Sequence, residues 1–440
     1  MNPADSPAGD RPRRLRPSRL ADGLGLDLLL YGLSAIFAGV TAATSTLLPH
    51  RAWGAVAAPG YLLATLAVLG QLLLRRHPDR RATLTGVPAR AVLTVVTWAT
   101  TAVLPMLWQA VERAAGRTDR AQEEVIVVEQ AGSRLIDHGT PYLGHDAIAA
   151  LPPGEQLLGY LPYQPGMALF GLPRALAGIA WWTDARVWFA LFTAVVLAAA
   201  ATLLWSHRAA RPAVVRAVQL ATVLPVCALT LATGGDDLPV LALCLLALSL
   251  CAAGRPGRAG LTIGLAAALK LFAWPVALVL LVHAATRGRR TAGRLAAGAL
   301  GLPILAVLPA LVIDPGALAE NVVRFPLGHG LVTSPAQSPF PGHLIATAVP
   351  AGRTIAAALL VAAGVAIAVR LVRRPPRRVA DTATICGYGL LAAILLMPST
   401  RFGYLLYPVA LLAWAYAVRR AEPRPEPTPR PPDPVTAAVR

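Results

Sequence analysis

The sequence predicts an all-α, polytopic integral membrane protein. Hydrophobic residues make up 56% of the 440 residues, and charged residues only 14%. Apolar stretches of about 20 residues, the length that crosses the hydrocarbon core as a helix, recur along the chain. Because lipid offers the backbone no hydrogen-bond partners, such stretches cross as helices. We predict about twelve transmembrane segments, with both termini cytoplasmic.

The net charge of +18 comes mostly from arginines between the predicted spans and in the tails. Basic loops stay on the cytoplasmic side, so these arginines set the topology and favour contact with anionic membrane lipids. Nucleic-acid binding is not predicted, because the basic residues are divided among separate loops. Cys227, Cys244, Cys251 and Cys386 all lie in apolar segments without metal-type spacing. They are predicted to be buried free thiols.

The chain divides into a predicted membrane domain and two tails. Residues 1–23 are predicted to be a disordered cytoplasmic tail, and residues 419–440 form a Pro-rich cytoplasmic tail. The membrane domain, residues 24–418, contains two large outer loops at 109–185 and 314–350. Besides two half-spans described below, the predicted spans are 24–48, 55–74, 89–108, 186–206, 214–232, 238–253, 295–313, 354–372, 383–397 and 402–418.

Lys270 is the only lysine in the chain, and it lies within the apolar run GLTIGLAAALKLFAWP at 260–275. A charge at the bilayer centre costs at least about 3 kcal/mol, so an intramembrane lysine indicates a functional site. The alternative is a lysine that extends to the headgroups from a span end. Arginines flank the run on both sides, so both of its ends are predicted to be cytoplasmic. We therefore predict two half-spans, 259–270 and 271–286, with Lys270 near the outer side.

The first predicted outer loop carries many of the acidic residues of the chain. Residues 124–137 have the apolar spacing of a helix, which Gly139 ends. Residues 160–178 are apolar but interrupted by three prolines. We predict an interfacial helix there, lying on the outer leaflet, with Trp181 and Trp182 at headgroup level.

Several charged side chains gather at the outer face in this predicted topology. Asp236 and Asp237 occupy a short turn, Lys270 lies at the hairpin, and Arg401 lies between the last two spans. A carboxylate can take a proton from an attacking hydroxyl, and a cation can hold a phosphate leaving group. Each residue also has a simpler explanation. The two aspartates can stabilise the N-terminus of the next helix by about 0.3–1 kcal/mol, and Arg401 can anchor the interface.

No cofactor is predicted. The histidines and acids lack the spacing of a zinc site. The glycines of GRPGRAG at 254–260 lie in a short turn without a preceding strand, so a nucleotide loop is not expected there.

The run at 260–275 resembles the lysine-bearing segment of type C membrane glycosyltransferases. Residues 89–418 resemble glycosyltransferase family 87, the polyprenyl-phosphate-mannose-dependent α-mannosyltransferases of actinobacteria. EVIVVEQAGSRLIDHGTPY at 124–142 resembles the first outer loop of that family, and LPYQPGMALFGLP at 161–173 its Tyr–Pro interfacial helix. Residues 234–250 resemble the polar turn and apolar span that precede the lysine segment.

The resemblance implies an enzyme at the outer face of the plasma membrane. It would pass a sugar, by resemblance mannose, from a polyprenyl-phosphate donor to a glycolipid or glycan hydroxyl, with inversion. The family's catalytic acid is usually aspartate, and the matching position here holds Glu124, with Glu123 beside it. The remaining candidates are Lys270, Arg401 and Arg324 for the donor phosphate, and Tyr163, Asp236, Asp237 and Tyr404 for substrate binding.

Two other functions fit the same residues. A transporter or flippase for an anionic lipid or a lipid-linked sugar would also use intramembrane charges. It is favoured by broken helices in two matching halves, whereas only one broken pair is predicted. A purely structural membrane protein, with Lys270 fixing helix register, does not account for the large outer loops. A transferase would release free polyprenyl phosphate and a transporter would not. Arabinose or another lipid-linked sugar is an alternative to mannose.

Overall fold

The computed structural model describes residues 23–74 and 84–422. Within these ranges the chain is helical, with one isolated β-bridge between Gln337 and Thr400. Eight helices there are long and apolar enough to cross a membrane, and one bent pair makes a ninth. The all-α, multi-pass membrane fold is thus confirmed, while the count of twelve crossings stays a prediction. The predicted tails fall almost wholly outside the described residues.

The described helices comprise long apolar helices, one bent pair, shorter apolar helices and the helices of the predicted outer loops. The eight long ones are Leu24–Thr44, Leu48–Leu74, Val87–Ala114, Ala185–Trp205, Arg289–Ile313, Gly352–Arg373, Val379–Leu396 and Phe402–Ala421. The bent pair is Arg208–Thr222 and Pro225–Thr233, and the shorter apolar helices are Asp237–Ala252, Pro256–Leu269 and Ala273–Thr286. The helices of the two predicted outer loops are Glu123–His138, His145–Ala149, Gln156–Gly159, Leu172–Ala177, Pro315–Ala319 and Pro341–Ala348.

Several predicted spans differ from the structure. The span 24–48 ends at Thr44, and the helix predicted for 55–74 already begins at Leu48. The span 214–232 is broken, because Leu224 leaves the helical conformation just before Pro225. Proline disfavours helical backbone in the residue before it and has no N–H to donate. The span 89–108 continues to Ala114, so the first predicted loop begins later than residue 109. Gln109 lies fully buried within that helix and donates a hydrogen bond to the Ala232 carbonyl, 3.3 Å away.

The segment at 160–178 is not one interfacial helix. It forms a 3₁₀ helix, Pro165–Gly171, and a short α-helix, Leu172–Ala177. One side packs against the helix Glu123–His138, here called the loop helix, where the backbones of Gly132 and Gly171 leave no room for a Cβ. The other side exposes apolar residues such as Leu176, which is 75% exposed. An exposed apolar side fits contact with the membrane surface.

The helix Pro256–Leu269 is held tightly against Arg289–Ile313. Gly260 and Gly264, one helical turn apart, face Leu295 and Gly298 on the longer helix. A Cβ at either glycine would overlap the opposing backbone. Small residues at this spacing let membrane helices approach closely and gain packing contacts. This close packing fixes the position of the lysine that follows at the end of the shorter helix.

A buried ion network fixes the loop helix. Glu129 accepts hydrogen bonds from Arg113 at 2.6 Å and from Arg174 at 3.2 Å. Arg113 also binds Asp184 at 3.0 Å, and Arg186 binds the same carboxylate at 2.8 Å. Burial alone would raise the pKa of Asp184, but the two arginines hold it below its ordinary value. The network joins the loop helix to two long helices.

The variant Glu129→Ala is expected to lower the free energy of unfolding by about 3–5 kcal/mol, because it leaves the largely buried Arg174 without its counter-ion and Arg113 with Asp184 alone. The measurement is SDS-induced unfolding in mixed micelles. Glu123→Ala, on the same helix but exposed, is the matched control and should unfold like the wild type. Equal stability of all three proteins would show that the network contributes nothing.

Candidate active site

The helix Pro256–Leu269 ends at Lys270, as the sequence predicts. Lys270 is extended, with φ −155° and ψ 145°, and the next helix begins at Ala273. The backbone N–H of Gln164 donates to the Leu269 carbonyl at 3.1 Å. The segment 160–178 thus supplies a hydrogen bond to a carbonyl that the end of the helix leaves without a helical partner. The break turns the lysine side chain toward the turn before the helix Asp237–Ala252.

Two carboxylates bind the Lys270 ammonium. Its Nζ lies 2.7 Å from Asp236 Oδ2 and 2.6 Å from Asp237 Oδ1, and all three residues are buried. Asp236 is the N-cap residue of the helix but makes no side-chain cap hydrogen bond, and Asp237 lies in the first turn. Tyr407 donates its hydroxyl hydrogen to Asp237 Oδ1 at 2.8 Å. We call Lys270, Asp236 and Asp237 the lysine cluster.

Aromatic rings enclose the lysine cluster. The Lys270 Nζ lies 4.8 Å from the ring centroid of Tyr163 and 5.5 Å from that of Tyr404, which is cation–π distance. Phe272 stacks on Tyr407 with ring centroids 5.1 Å apart, and it tilts against Tyr404 at 4.8 Å. These rings screen the ammonium from its surroundings and restrict its position.

A second ion pair joins Glu124 to Arg401. Arg401 Nη1 binds Glu124 Oε1, and the side chains are 26% and 12% exposed. The other oxygen, Glu124 Oε2, is buried and has no hydrogen-bond partner among the described residues. Glu124 lies in the first turn of the loop helix, where free backbone N–H groups favour a carboxylate. The unpaired oxygen is an available proton acceptor.

The two ion-pair groups are adjacent. A Cβ on Gly234, two residues before Asp236, would lie 3.8 Å from Glu124 Oε2. Gln122 fixes this approach, because its backbone N–H donates to the Thr233 carbonyl at 2.9 Å. The Gln122 side chain accepts from the Thr233 hydroxyl at 3.0 Å. Glycine at 234 therefore lets the turn before Asp236 lie close to Gln122 and to the carboxylate of Glu124.

A family model for glycosyltransferase family 87 matches residues 160–398. The match covers more than half of the chain, including Tyr163 and the whole lysine cluster. The chain belongs to glycosyltransferase family 87. With its bundle of apolar helices, it is a membrane glycosyltransferase. No curated protein matches the chain. Glu124 and Arg401 lie outside the matched residues of this family 87 enzyme.

Two predicted site residues lie apart from these groups. Glu123 is exposed and has no side-chain partner in the described part of the chain. Arg324 is 58% exposed and pairs with Glu320 at 3.4 Å. Glu320 in turn accepts from Tyr160 at 3.0 Å, in a region where the two predicted outer loops meet. No described contact connects Arg324 with the lysine cluster of this family 87 enzyme.

Four neighbours of the site were not among the predicted residues: Tyr407, Phe272, Gln122 and His50. Tyr407 follows Tyr404 by three residues, a spacing that places two side chains on one helical face. Tyr407 could therefore have been predicted from the sequence. The His50 ring lies 3.0 Å from the Gln122 side chain, although the two residues are far apart in the sequence. Nothing in the sequence around His50 signals that contact.

Proposed function

We propose that this family 87 enzyme transfers a sugar from a polyprenyl-phosphate donor to a hydroxyl of a glycolipid or glycan. By family resemblance the sugar is mannose, and the reaction takes place at the outer face of the plasma membrane. One observation carries the proposal: the unpaired buried oxygen of Glu124 lies beside Arg401 and next to the lysine cluster. A proton acceptor and fixed cations thus share one site.

Glu124 acts as the general base. Its Oε2 takes the proton of the acceptor hydroxyl while the hydroxyl oxygen attacks the anomeric carbon. The bond from that carbon to the phosphate oxygen breaks, and its electron pair stays on the phosphate. Polyprenyl phosphate leaves from the opposite side, so a single displacement inverts the anomeric carbon.

Arg401 is the main ligand of the donor phosphate. A guanidinium has five N–H donors, and Glu124 engages only one of its nitrogens in the structure. Lys270 has three N–H donors, of which the two aspartates take two. Lys270 therefore supplies at most one further hydrogen bond to the phosphate, whereas Arg401 can bind two oxygens at once.

The aspartates and tyrosines hold the sugar. Asp236 and Asp237 each offer a second carboxylate oxygen to sugar hydroxyls, while Lys270 fixes both side chains. Tyr163 and Tyr404, which cover the ammonium, provide apolar ring surface beside these oxygens. The site would thus bind a neutral sugar through carboxylate hydrogen bonds and ring contact.

Arg401→Gln is expected to lower kcat/KM for the lipid-phosphate donor by about 10²-fold or more, the loss expected when a charge-assisted contact to a developing phosphate charge disappears. Arg324→Gln, the matched control, should change it by less than about threefold, because Arg324 is surface-exposed and paired elsewhere. Transfer is measured with the purified variants at equal concentration. Equal losses in both variants would contradict the assignment.

Product analysis in lipid nanodiscs and vesicles tests the function itself. Purified enzyme receives polyprenyl phosphate carrying radiolabelled mannose, together with extracted glycolipids. We expect labelled glycolipid and an equal amount of free polyprenyl phosphate. Movement of intact donor across vesicles without release would instead identify a transporter. Transfer of arabinose but not mannose would support a glycosyltransferase and reject mannose as its sugar.

A further inference from the structure

His50 is connected to the region of the candidate base through one amide side chain. Its ring Nε2, at the start of the helix Leu48–Leu74, lies 3.0 Å from the side-chain nitrogen of Gln122. The oxygen of the same amide accepts from the Thr233 hydroxyl at 3.0 Å. Gln122 is the N-cap residue of the loop helix, and Glu124 follows in the first turn. His50 and Thr233 thus hold the two ends of an amide that lies two residues before the base.

The hydrogen bonds of the Gln122 amide define the protonation state of His50. An amide nitrogen can only donate, so the Nε2 of His50 accepts and carries no proton. The neutral ring then has its proton on Nδ1. An imidazolium has an N–H on both nitrogens and cannot accept this hydrogen bond. The observed orientation of the amide is therefore specific to neutral His50.

Protonation of His50 would turn the amide around. The imidazolium Nε2–H needs an acceptor, and the turned amide of Gln122 offers its oxygen. Its NH2 group then points to Thr233. Thr233 permits this exchange, because its hydroxyl hydrogen can go to the Leu229 carbonyl, 2.9 Å away, while its oxygen accepts from the amide. Each orientation of the amide thus has partners at both of its ends, as a two-state element requires.

The amide oxygen of Gln122 lies close to the carboxylate of Glu124. A Cβ on Gly234 would lie 3.2 Å from Gln122 Oε1 and 3.8 Å from Glu124 Oε2, so both oxygens approach the same glycine. In this orientation Glu124 Oε2 has no hydrogen-bond donor among the described residues. In the turned orientation the amide NH2 takes the place of the oxygen. An N–H beside a carboxylate stabilises its charged form and so makes it a weaker base.

We propose that His50 is a positioning residue, which in its neutral form holds Gln122 in the orientation that leaves Glu124 available as a base. Protonation of His50 reverses the amide and slows sugar transfer. The inference rests on the proposed function. It gives the enzyme a rate that depends on the acidity at the site, through a residue that does not touch the substrates.

The charged groups around His50 are Arg401, Glu124 and Arg51. Arg401 lies within electrostatic reach of the ring, and it is paired with Glu124. Arg51 follows His50 in the same helix, but it is exposed, and its Nε donates to the Ser45 carbonyl at 3.1 Å. Gln122, which contacts the ring directly, is uncharged. Within the relay of His50, Gln122 and Thr233, only the histidine changes its charge between about pH 5 and pH 8.

The pH profile of kcat tests the proposal, with purified enzyme in nanodiscs at saturating donor and acceptor. We expect the wild-type kcat to fall about threefold or more from pH 8 to pH 5, the range in which histidine titrates. His50→Gln keeps an acceptor for the amide but does not titrate, so it should retain most of the activity at pH 8 and lose less on acidification. His50→Leu offers no acceptor and should lower kcat at pH 8 about two- to tenfold, the effect of one ordinary hydrogen bond. Arg51→Gln, the matched control, should follow the wild type throughout.

The same loss of activity on acidification in His50→Gln as in the wild type would overturn the proposal, because another group would then cause it. An unchanged kcat in His50→Leu would overturn it as well. A wild type that transfers no sugar at any pH would instead reject the proposed function. NMR of enzyme with isotopically labelled histidine rings then still tests the relay, with His50→Gln to assign the signal. We expect His50 at pH 8 to carry its proton on Nδ1, and a proton on Nε2 would overturn the relay.

Discussion

Replacing Glu124 by glutamine is expected to reduce sugar transfer by about 10²–10⁴-fold, the contribution usual for a general base. Glutamine has nearly the same shape, and its amide oxygen can still accept a hydrogen bond from Arg401. The fold and the position of the side chain should therefore survive, while the proton acceptor is lost. The measurement is kcat at saturating donor and acceptor, with circular dichroism as the check on folding.

Glu123→Gln is the natural control, because Glu123 is the neighbouring residue of the same type and is exposed. It should keep transfer close to the wild-type rate. Glu124→Asp should retain part of the activity, since a carboxylate remains but lies one methylene further from the acceptor. If Glu123→Gln loses activity and Glu124→Gln keeps it, the base is Glu123 and the argument from burial is wrong.

Replacing Lys270 by alanine should have the other large effect. It leaves two adjacent buried carboxylates without their cation, and breaking a buried ion pair in this way costs about 3–5 kcal/mol. We expect that loss in the free energy of unfolding measured in mixed micelles. Transfer should fall below detection, because the carboxylates that Lys270 holds would no longer be fixed for the sugar.

A triple variant separates stability from chemistry. Lys270→Met combined with Asp236→Asn and Asp237→Asn removes the whole charge cluster at similar volume, so no buried charge is left without a partner. We expect the triple variant to regain stability while transfer stays lost. A triple variant that transfers sugar at the wild-type rate would place the active site elsewhere in the molecule.

The sequence was sufficient for the fold class and for the break at Lys270. Hydropathy reports apolar helices directly, and basic residues on both sides of one apolar run favoured a hairpin. It was not sufficient for the break before Pro225. Proline also lies inside the intact helix Leu48–Leu74, so its effect depends on packing that the sequence does not show. The split of the segment 160–178 coincides with Pro165 and Pro173, which lie in the first positions of its two helical pieces.

The candidate site was predicted in part. Placing Asp236, Asp237 and Lys270 on one face followed from the topology, and the structure brings them into contact. The sequence could not separate Arg401 from Arg324, because both belong to predicted outer regions. Their different positions depend on tertiary contacts, among them the pairing of Arg401 with Glu124. The sequence also did not show that two carboxylates would bind Lys270 and leave it fewer N–H donors for a phosphate.

Sugar transfer in isolated membranes is the most direct test of the site as a whole. The wild type, Glu124→Gln and Lys270→Ala receive radiolabelled polyprenyl-phosphate mannose, and immunoblotting confirms equal insertion. We expect labelled glycolipid or glycan with the wild type and none above background with either variant. A wild type that transfers no sugar from any lipid-phosphate donor across a panel of acceptors would contradict it. Full activity in both variants would contradict it equally.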